Sequence, residues 1–416
     1  MASIARRNLF EDIPRFLVAQ AGIMFAVSLV TIQTGILDGF SRSTVRVIDE
    51  STADLWVASP DMLHLEISSQ LTFEQLVQTR QVEGVERAEA LFTQGIRWKS
   101  VDGQLETVRL YGFNPDGQLF ANWTPVQGSL SSLKVPYSIL VDQSKLSDLG
   151  LKQIGDTGKM GSLQAKLVGT VNDLQSMASS TFVFTSLESA NAFVFSGLTS
   201  QVTCSRREGG DLQCFNVFEN APKKNASQPQ PPPKKLSLTD PLTYVLVKAK
   251  PGQDLDSLRR RLETAMPNTR VYTKAEMVTI TQDYWRERTG VGFILGLGKV
   301  VGFVVGMVVV SQILYSSVTD HLIEFGTLKA MGASDWFIYR VITEQALWMA
   351  VLGYIPSMLL CWGLSVWTMS AKGIMILITP ATAFGVLGLT VLMCVGSALF
   401  AIQKVTHVDP AIVFKA

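Results

Sequence analysis

Four long apolar runs decide what this chain can become. Residues 16–37, 291–318, 341–367 and 381–402 are each long enough to span lipid. A helix needs about 20 apolar residues to cross a hydrocarbon core of roughly 30 Å. Between the first and second runs lies a polar stretch, 41–284, with no further candidate. The expected fold class is an α-helical membrane protein with four transmembrane helices and a large α+β domain between helices 1 and 2. Expected segments are 1–40 (tail and helix 1), 41–284 (the aqueous domain) and 285–416 (a three-helix membrane domain).

Composition narrows the function classes. Charged residues make up 17% of the 416-residue chain, below the roughly 25% of ordinary soluble domains. The net charge of +1 offers no bulk basic surface, so nucleic acid is not an expected partner. Three histidines and four scattered cysteines show no metal-ligand spacing. Gly296–Val300, GLGKV, lacks the flanking glycine and the hydroxyl residue of a phosphate-binding loop, so no nucleotide binds by that route.

Orientation follows from the basic residues beside the runs. Arg6, Arg7 and Arg15 precede the first run, and Lys329 and Arg340 lie between the second and third. Lys404 and Lys415 follow the fourth, whereas the connector between the third and fourth has only Lys372. Both termini and the 316–340 loop are expected to be cytoplasmic, and the large domain extracytoplasmic.

In that domain, 242–250 alternates as a strand, 254–266 is an amphipathic helix and 269–273 a second strand. The same order appears earlier, with a strand at 53–59, a helix at 72–80 and a strand at 85–92. Two strand–helix–strand units thus flank 137–143, 165–171 and 181–186, which read as strands of a separate β-rich lobe. Asp142, Asp148, Asp156 and Asp173 sit in turn-like contexts and read as solvated loop acids, and His64 has no evident Ser or Asp partner. No catalytic constellation emerges, so the chain is not expected to be an enzyme.

An insertion near 204–240 includes PKKNASQPQPPPKK at 222–235, which reads as an exposed, mobile or polyproline segment. A partner-docking peptide and a tolerated loop both fit it. Cys204 and Cys214, the only cysteines outside the apolar runs, are able to close a disulfide in an oxidising extracytoplasmic space.

Within the spans, Gly298, Gly302 and Gly306 recur every four residues and form a helix face where another span, in this chain or across a dimer, approaches closely. Between spans two and three lies DHLIEFGTLKAMGASDWF. Thr319 or Asp320 suits a helix N-cap and Gly332 a helix end, giving a short helix over 319–332. Asp320 and Glu324 share a side, an acidic face suited to a basic partner; a solvated loop fits equally.

That segment resembles the coupling segment of the MacB/FtsX/LolC group of ABC permeases, whose pattern is close to K-E-I-G-x-L-R-A-L-G-A. Glu324, Gly326, Leu328, Ala330, Gly332 and Ala333 match, while Phe325 replaces the usual Ile and Lys329 the usual Arg. Residues 283–322, FNPD at 113–116 and the closing HVDPAIVFKA are similar to the DevC subgroup. The resemblance covers nearly the whole chain and is weakest over 204–235.

The resemblance implies a dimeric, non-catalytic permease subunit, with ATP bound by a separate ATPase subunit rather than by this chain. Asp320, Glu324, Lys329 and Gly332 would lie at the ATPase contact, and Gly298, Gly302 and Gly306 where spans pack. It further implies placement in the inner membrane, a periplasmic adaptor, a TolC-like outer-membrane duct and export of a glycolipid-like amphiphile from the periplasmic side. An FtsX-like transducer that activates an extracytoplasmic hydrolase, and a lone membrane-anchored receptor, are the competing classes.

Overall fold

The computed structural model describes residues 13–196, 200–206, 212–218, 230–288, 290–320, 327, 331–372 and 375–406. The chain divides into two compact units, Ser41–Arg288 and Met1–Phe40 with Thr289–Ala416. Helix α1 (Ile13–Asp49) begins in the second unit, and its last residues belong to the first.

In the Ser41–Arg288 unit α1 leads to β1 (Leu55–Ala58), β2 (Leu71–Thr72), α2 (Phe73–Gln81) and β3 (Val85–Lys99). Next come β4 (Leu105–Phe113), β5 (Ser138–Asp142), β6 (Thr157–Met160), β7 (Leu163–Val171), β8 (Thr181–Ser186) and α3 (Leu187–Phe195). The insertion supplies β9 (Ser200–Arg206) and β10 (Leu212–Phe218). The unit closes with β11 (Pro241–Leu242), β12 (Tyr244–Ala249), α4 (Leu255–Ala265), β13 (Arg270–Thr273) and α5 (Lys274–Asp283).

The two strand–helix–strand units interleave. β1 pairs antiparallel with both β12 and β13, and β12 pairs antiparallel with β3. The order β13-β1-β12-β3 is that of a split β-α-β sheet. Leu55, Val57, Val245 and Val247 face α2 and α4, where Leu76, Leu258 and Leu262 are buried. The alternate residues, Trp56, Tyr244, Leu246 and Tyr272, pack on the other face with Val45 and Ile48 from the end of α1. Both faces are covered, so these strands are apolar throughout rather than alternating.

The strands expected in a separate lobe are not separate. β3 is 15 residues long, and its far half pairs with β4, which continues through β8, β5, β7 and β6. β6 then pairs back onto β3 at Trp98↔Met160 and Lys99↔Lys159, closing a six-stranded ring that shares β3 with the first sheet. Trp98 plugs this ring and donates its indole N–H to the Leu149 carbonyl at 2.9 Å. Gly158 lies under the Trp98 ring, where any Cβ would collide with it.

Two readings of acids and of the insertion change. Asp142 is not a solvated loop acid: it is 1% exposed and accepts from the N–H groups of Ser144 and Leu174, at 3.0 Å each. It terminates β5 and ties that end to the loop after β7. The described part of the Pro-rich segment, 230–235, is mostly exposed, as expected, but it is tethered, and Leu236 just after it is partly buried. Tyr137 Oη donates to the Pro231 carbonyl at 2.7 Å, and Leu236 packs against the core.

A buried polar group lies on the second face. Glu66 faces Arg109 of β4, with Nε to Oε2 at 3.1 Å, and accepts from the Ser179 hydroxyl at 2.5 Å. His64, 1% exposed, stacks on Tyr284 with ring centroids 4.1 Å apart and meets Trp285 edge-on. Tyr284 and Trp285 open a single π-helical turn, Tyr284–Arg288, at the end of the unit. Burial, reinforced by the Arg109 charge, lowers the imidazole pKa from 6.5 to about 4. The unfolded chain therefore binds the proton first as pH falls. The stabilising preference for neutral His64 is complete above pH 6.5 and is lost progressively between 6.5 and 4, at most about 3 kcal/mol. Melting of the full chain should shift downward between pH 7 and pH 5, and His64→Gln should remove part of that slope. An equal slope in the variant would contradict the assignment.

Candidate functional site

The Met1–Phe40 and Thr289–Ala416 unit holds α1 up to Phe40, α6 (Val291–Asp320), α7 (Asp335–Lys372) and α8 (Pro380–Thr406). All four helices are long and apolar enough to cross a membrane. Their core includes Ile23, Ala26, Val30, Val310, Leu314, Ile342, Ala346, Met393 and Ala398.

The α6 glycines face helices of the same chain. A Cβ on Gly298 would lie 2.8 Å from the Gln33 side chain, and one on Gly302 3.1 Å from Val30 Cγ2. One on Gly306 would collide with Met393 Sδ of α8 and lie 2.6 Å from Ala26 Cβ. The opposite side of α6 exposes Val300, Val301, Val304 and Val308.

A second small-residue row, absent from the sequence reading, lies on α7. Gly353, Ser357, Cys361 and Ser365 recur every four residues. Gly353 approaches Ile23 and Gln20 of α1, Ser357 Oγ lies 3.5 Å from the Met24 carbonyl, and Cys361 Sγ 3.8 Å from that of Ser28. Numbers rise together on both helices, so α1 and α7 run parallel with their backbones close. Gly302→Leu is expected to overpack the α1 face and cost about 1–3 kcal/mol. Disulfide trapping between cysteines placed at 30 and 302 should mark that seam in the parent; equal thermal stability of Gly302→Leu in detergent would contradict tight packing there.

The coupling segment is described only in part. Asp320 is the last residue of α6, but its side chain, together with Glu324 and Lys329, lies outside the described residues. Thr319 is no N-cap: it lies inside α6, and its hydroxyl returns to the Tyr315 carbonyl at 2.8 Å, the i−4 pattern of a helix interior. At the far end Met331 N–H donates to the Thr327 carbonyl at 2.9 Å, a helical bond. Gly332 follows with φ +93°, the left-handed residue that ends such a turn. Among the described residues no atom lies within 4 Å of a Cβ placed there, so backbone conformation is what requires glycine. Met331, 72% exposed, and Trp336, 78% exposed, flank this turn. Helical spacing places Met331 on the same side as Asp320, Glu324 and Thr327, whereas Trp336 carries no expectation, although a large apolar residue just after a Gly-Ala-Ser turn is a readable signal. Among the described residues, no cluster of His, Cys, Asp or Glu is able to hold a metal.

Four membrane-length helices with one large α/β domain after the first define the class as that of a multi-pass membrane protein. The model of the MacB-like periplasmic core domain matches residues 16–265, and that of the FtsX-like permease C-terminal matches 297–410. The chain belongs to the MacB/FtsX-type permease family, the permease subunits of ABC transporters. Members of that family work with an ABC ATPase. Similar solved structures include the periplasmic region of MacB from Actinobacillus actinomycetemcomitans, at 10% identity over 57% of this chain and 96% of that chain, TM-score 0.35. Another is the extracellular domain of the ABC-type transporter YknZ from Gram-positive bacteria, at 11% identity over 53% and 99%, TM-score 0.33. Comparison with curated protein sequences finds no match.

Proposed function

We propose that this permease couples a separate cytoplasmic ATPase, through residues 319–332, to the Ser41–Arg288 domain in order to drive export of a glycolipid-like amphiphile. Both termini are cytoplasmic in this reading, and the domain faces the periplasm, where it works with an adaptor and a TolC-like outer-membrane duct. The observation that carries it is the pairing of the two family matches on one chain with a helical turn ending at Gly332 between α6 and α7. Glu324 and Lys329 supply the charged contacts to the ATPase, and Met331 and Trp336 the apolar ones. Exposed aromatic anchors of this kind carry a large share of the free energy at protein interfaces. The functional unit is a homodimer in which the valine side of α6 is free for a partner helix, since Gly298, Gly302 and Gly306 face α1 and α8.

Purification of the full chain from its native membrane in mild detergent tests the reading. An ATPase carrying phosphate-binding-loop motifs and a coiled-coil adaptor should co-purify. Recovery with a secreted hydrolase and no adaptor would replace export by transduction.

A further inference from the structure

The insertion after α3 is described over Ser200–Arg206 and Leu212–Phe218. It leaves the ring at Ser196 and returns at Gln230, and both ends are planted on the β6–β7 turn. Ser162 donates its N–H to Ser196 Oγ at 3.1 Å and its hydroxyl to the Ser196 carbonyl at 2.9 Å. Two residues on, Gln164 N–H donates to Gln230 Oε1 at 3.0 Å, and Gln230 Nε2 donates back to the Gln164 carbonyl at 3.3 Å. Tyr137 then holds Pro231. Between these feet, β9 and β10 pair antiparallel with each other and with no other strand among the described residues.

A two-stranded hairpin on its own is marginally stable in water. Its register supplies the remedy. Ser200↔Phe218 through Arg206↔Leu212 pair without a bulge, and Cys204 falls directly opposite Cys214. Directly opposed antiparallel residues share a face, with Cα atoms about 4.5 or 5.5 Å apart. That lies within the roughly 4.4–6.8 Å window of a disulfide. A slip of one residue would put the two on opposite faces. The chain's other cysteines, Cys361 and Cys394, are buried as free thiols in α7 and α8.

We propose that Cys204 and Cys214 form a disulfide that staples this arm across its middle. The proposal rests on the extracytoplasmic placement of the domain given above, where an exchangeable disulfide serves as oxidant. One cysteine thiolate attacks a sulfur of the donor disulfide, forming a mixed disulfide and expelling one donor thiolate. The second cysteine thiolate attacks the mixed disulfide, closing Cys204–Cys214 and expelling the other. The two cysteines lose two electrons and two protons, and the donor becomes two thiols.

Counting thiols in the full chain tests it. Membranes are acid-quenched, denatured and treated with a maleimide–polyethylene glycol, with and without prior reductant. Two labels should be added without reductant and four with it. Cys204→Ser should expose Cys214, giving three labels in both conditions. Four labels without reductant, or a reductant-sensitive species of doubled mass that needs Cys204 or Cys214, would overturn the intramolecular bond. A second variant isolates the placement: Asp102→Cys, on an exposed turn, in a Cys204→Ser/Cys214→Ser background. An impermeant maleimide should label it from outside the inner membrane. Failure to label it would overturn the placement itself. Labelling of Asp102→Cys combined with four free thiols would overturn the disulfide alone.

Discussion

Arg109→Met is expected to destabilise the Ser41–Arg288 domain by about 3–5 kcal/mol, the usual cost of stranding a buried charge. Arg109 reaches from β4 to Glu66, where Nε lies 3.1 Å from the carboxylate in an ion pair and Nη1 donates to the Glu66 carbonyl, also at 3.1 Å. The Glu66 side chain is 5% exposed, and burial raises its pKa even with Ser179 and Arg109 opposing that shift. Without the guanidinium the carboxyl keeps only the Ser179 hydroxyl and takes up a proton on folding. Stability of the variant should therefore fall further as pH rises above the carboxylate range, the reverse of the His64 effect. The double variant Arg109→Met/Glu66→Met should recover most of the loss, because an apolar pair of similar volume needs no solvation. Thermal unfolding followed by tryptophan emission reports this directly, since Trp56 and Trp98 are fully buried in the domain. A single variant melting with the parent would show that the pair contributes nothing.

Glu324→Lys carries the second large effect, on assembly rather than on folding. A charge reversal in the proposed docking helix places like charges against a partner selected to meet an acid, and such juxtapositions cost several kcal/mol. ATPase recovery with the permease should drop by two orders of magnitude or more, about 3 kcal/mol, while membrane insertion and domain melting remain as in the parent. Undiminished co-purification would remove Glu324 from the interface.

The membrane plan was readable because length and hydropathy alone define a span. So were the strands and helices near 53–92 and 242–273, whose apolar periods and turn residues are strong. Less legible was the way they combine. Interleaving of β1 between β12 and β13 depends on pairings more than 180 residues apart, which no local pattern encodes. β3 was expected to stop at residue 92 because Gln94, Gly95 and Arg97 break its apolar run; it continues since its far half closes the ring through Trp98. Helix α5 carries a clear local signal at its start. Thr273 and Glu276 form a reciprocal cap, with Thr273 N–H donating to Glu276 Oε2 at 2.7 Å. The α7 row of Gly353, Ser357, Cys361 and Ser365 hid because only its first member is glycine, although serine and cysteine admit a close backbone nearly as well.

In this mechanism the turn ending at Gly332 meets a motor outside this chain. Met331, exposed beside it, is the natural reporter. Met331→Cys carrying a short photo-cross-linker, in a background with Cys204 and Cys214 replaced by serine, is irradiated in native membranes and its adducts identified by mass spectrometry. One dominant adduct is expected, with a nucleotide-hydrolysing subunit, and it should be lost when Glu324→Lys is added. Adducts with lipid alone, or with proteins lacking ATPase motifs, would contradict it.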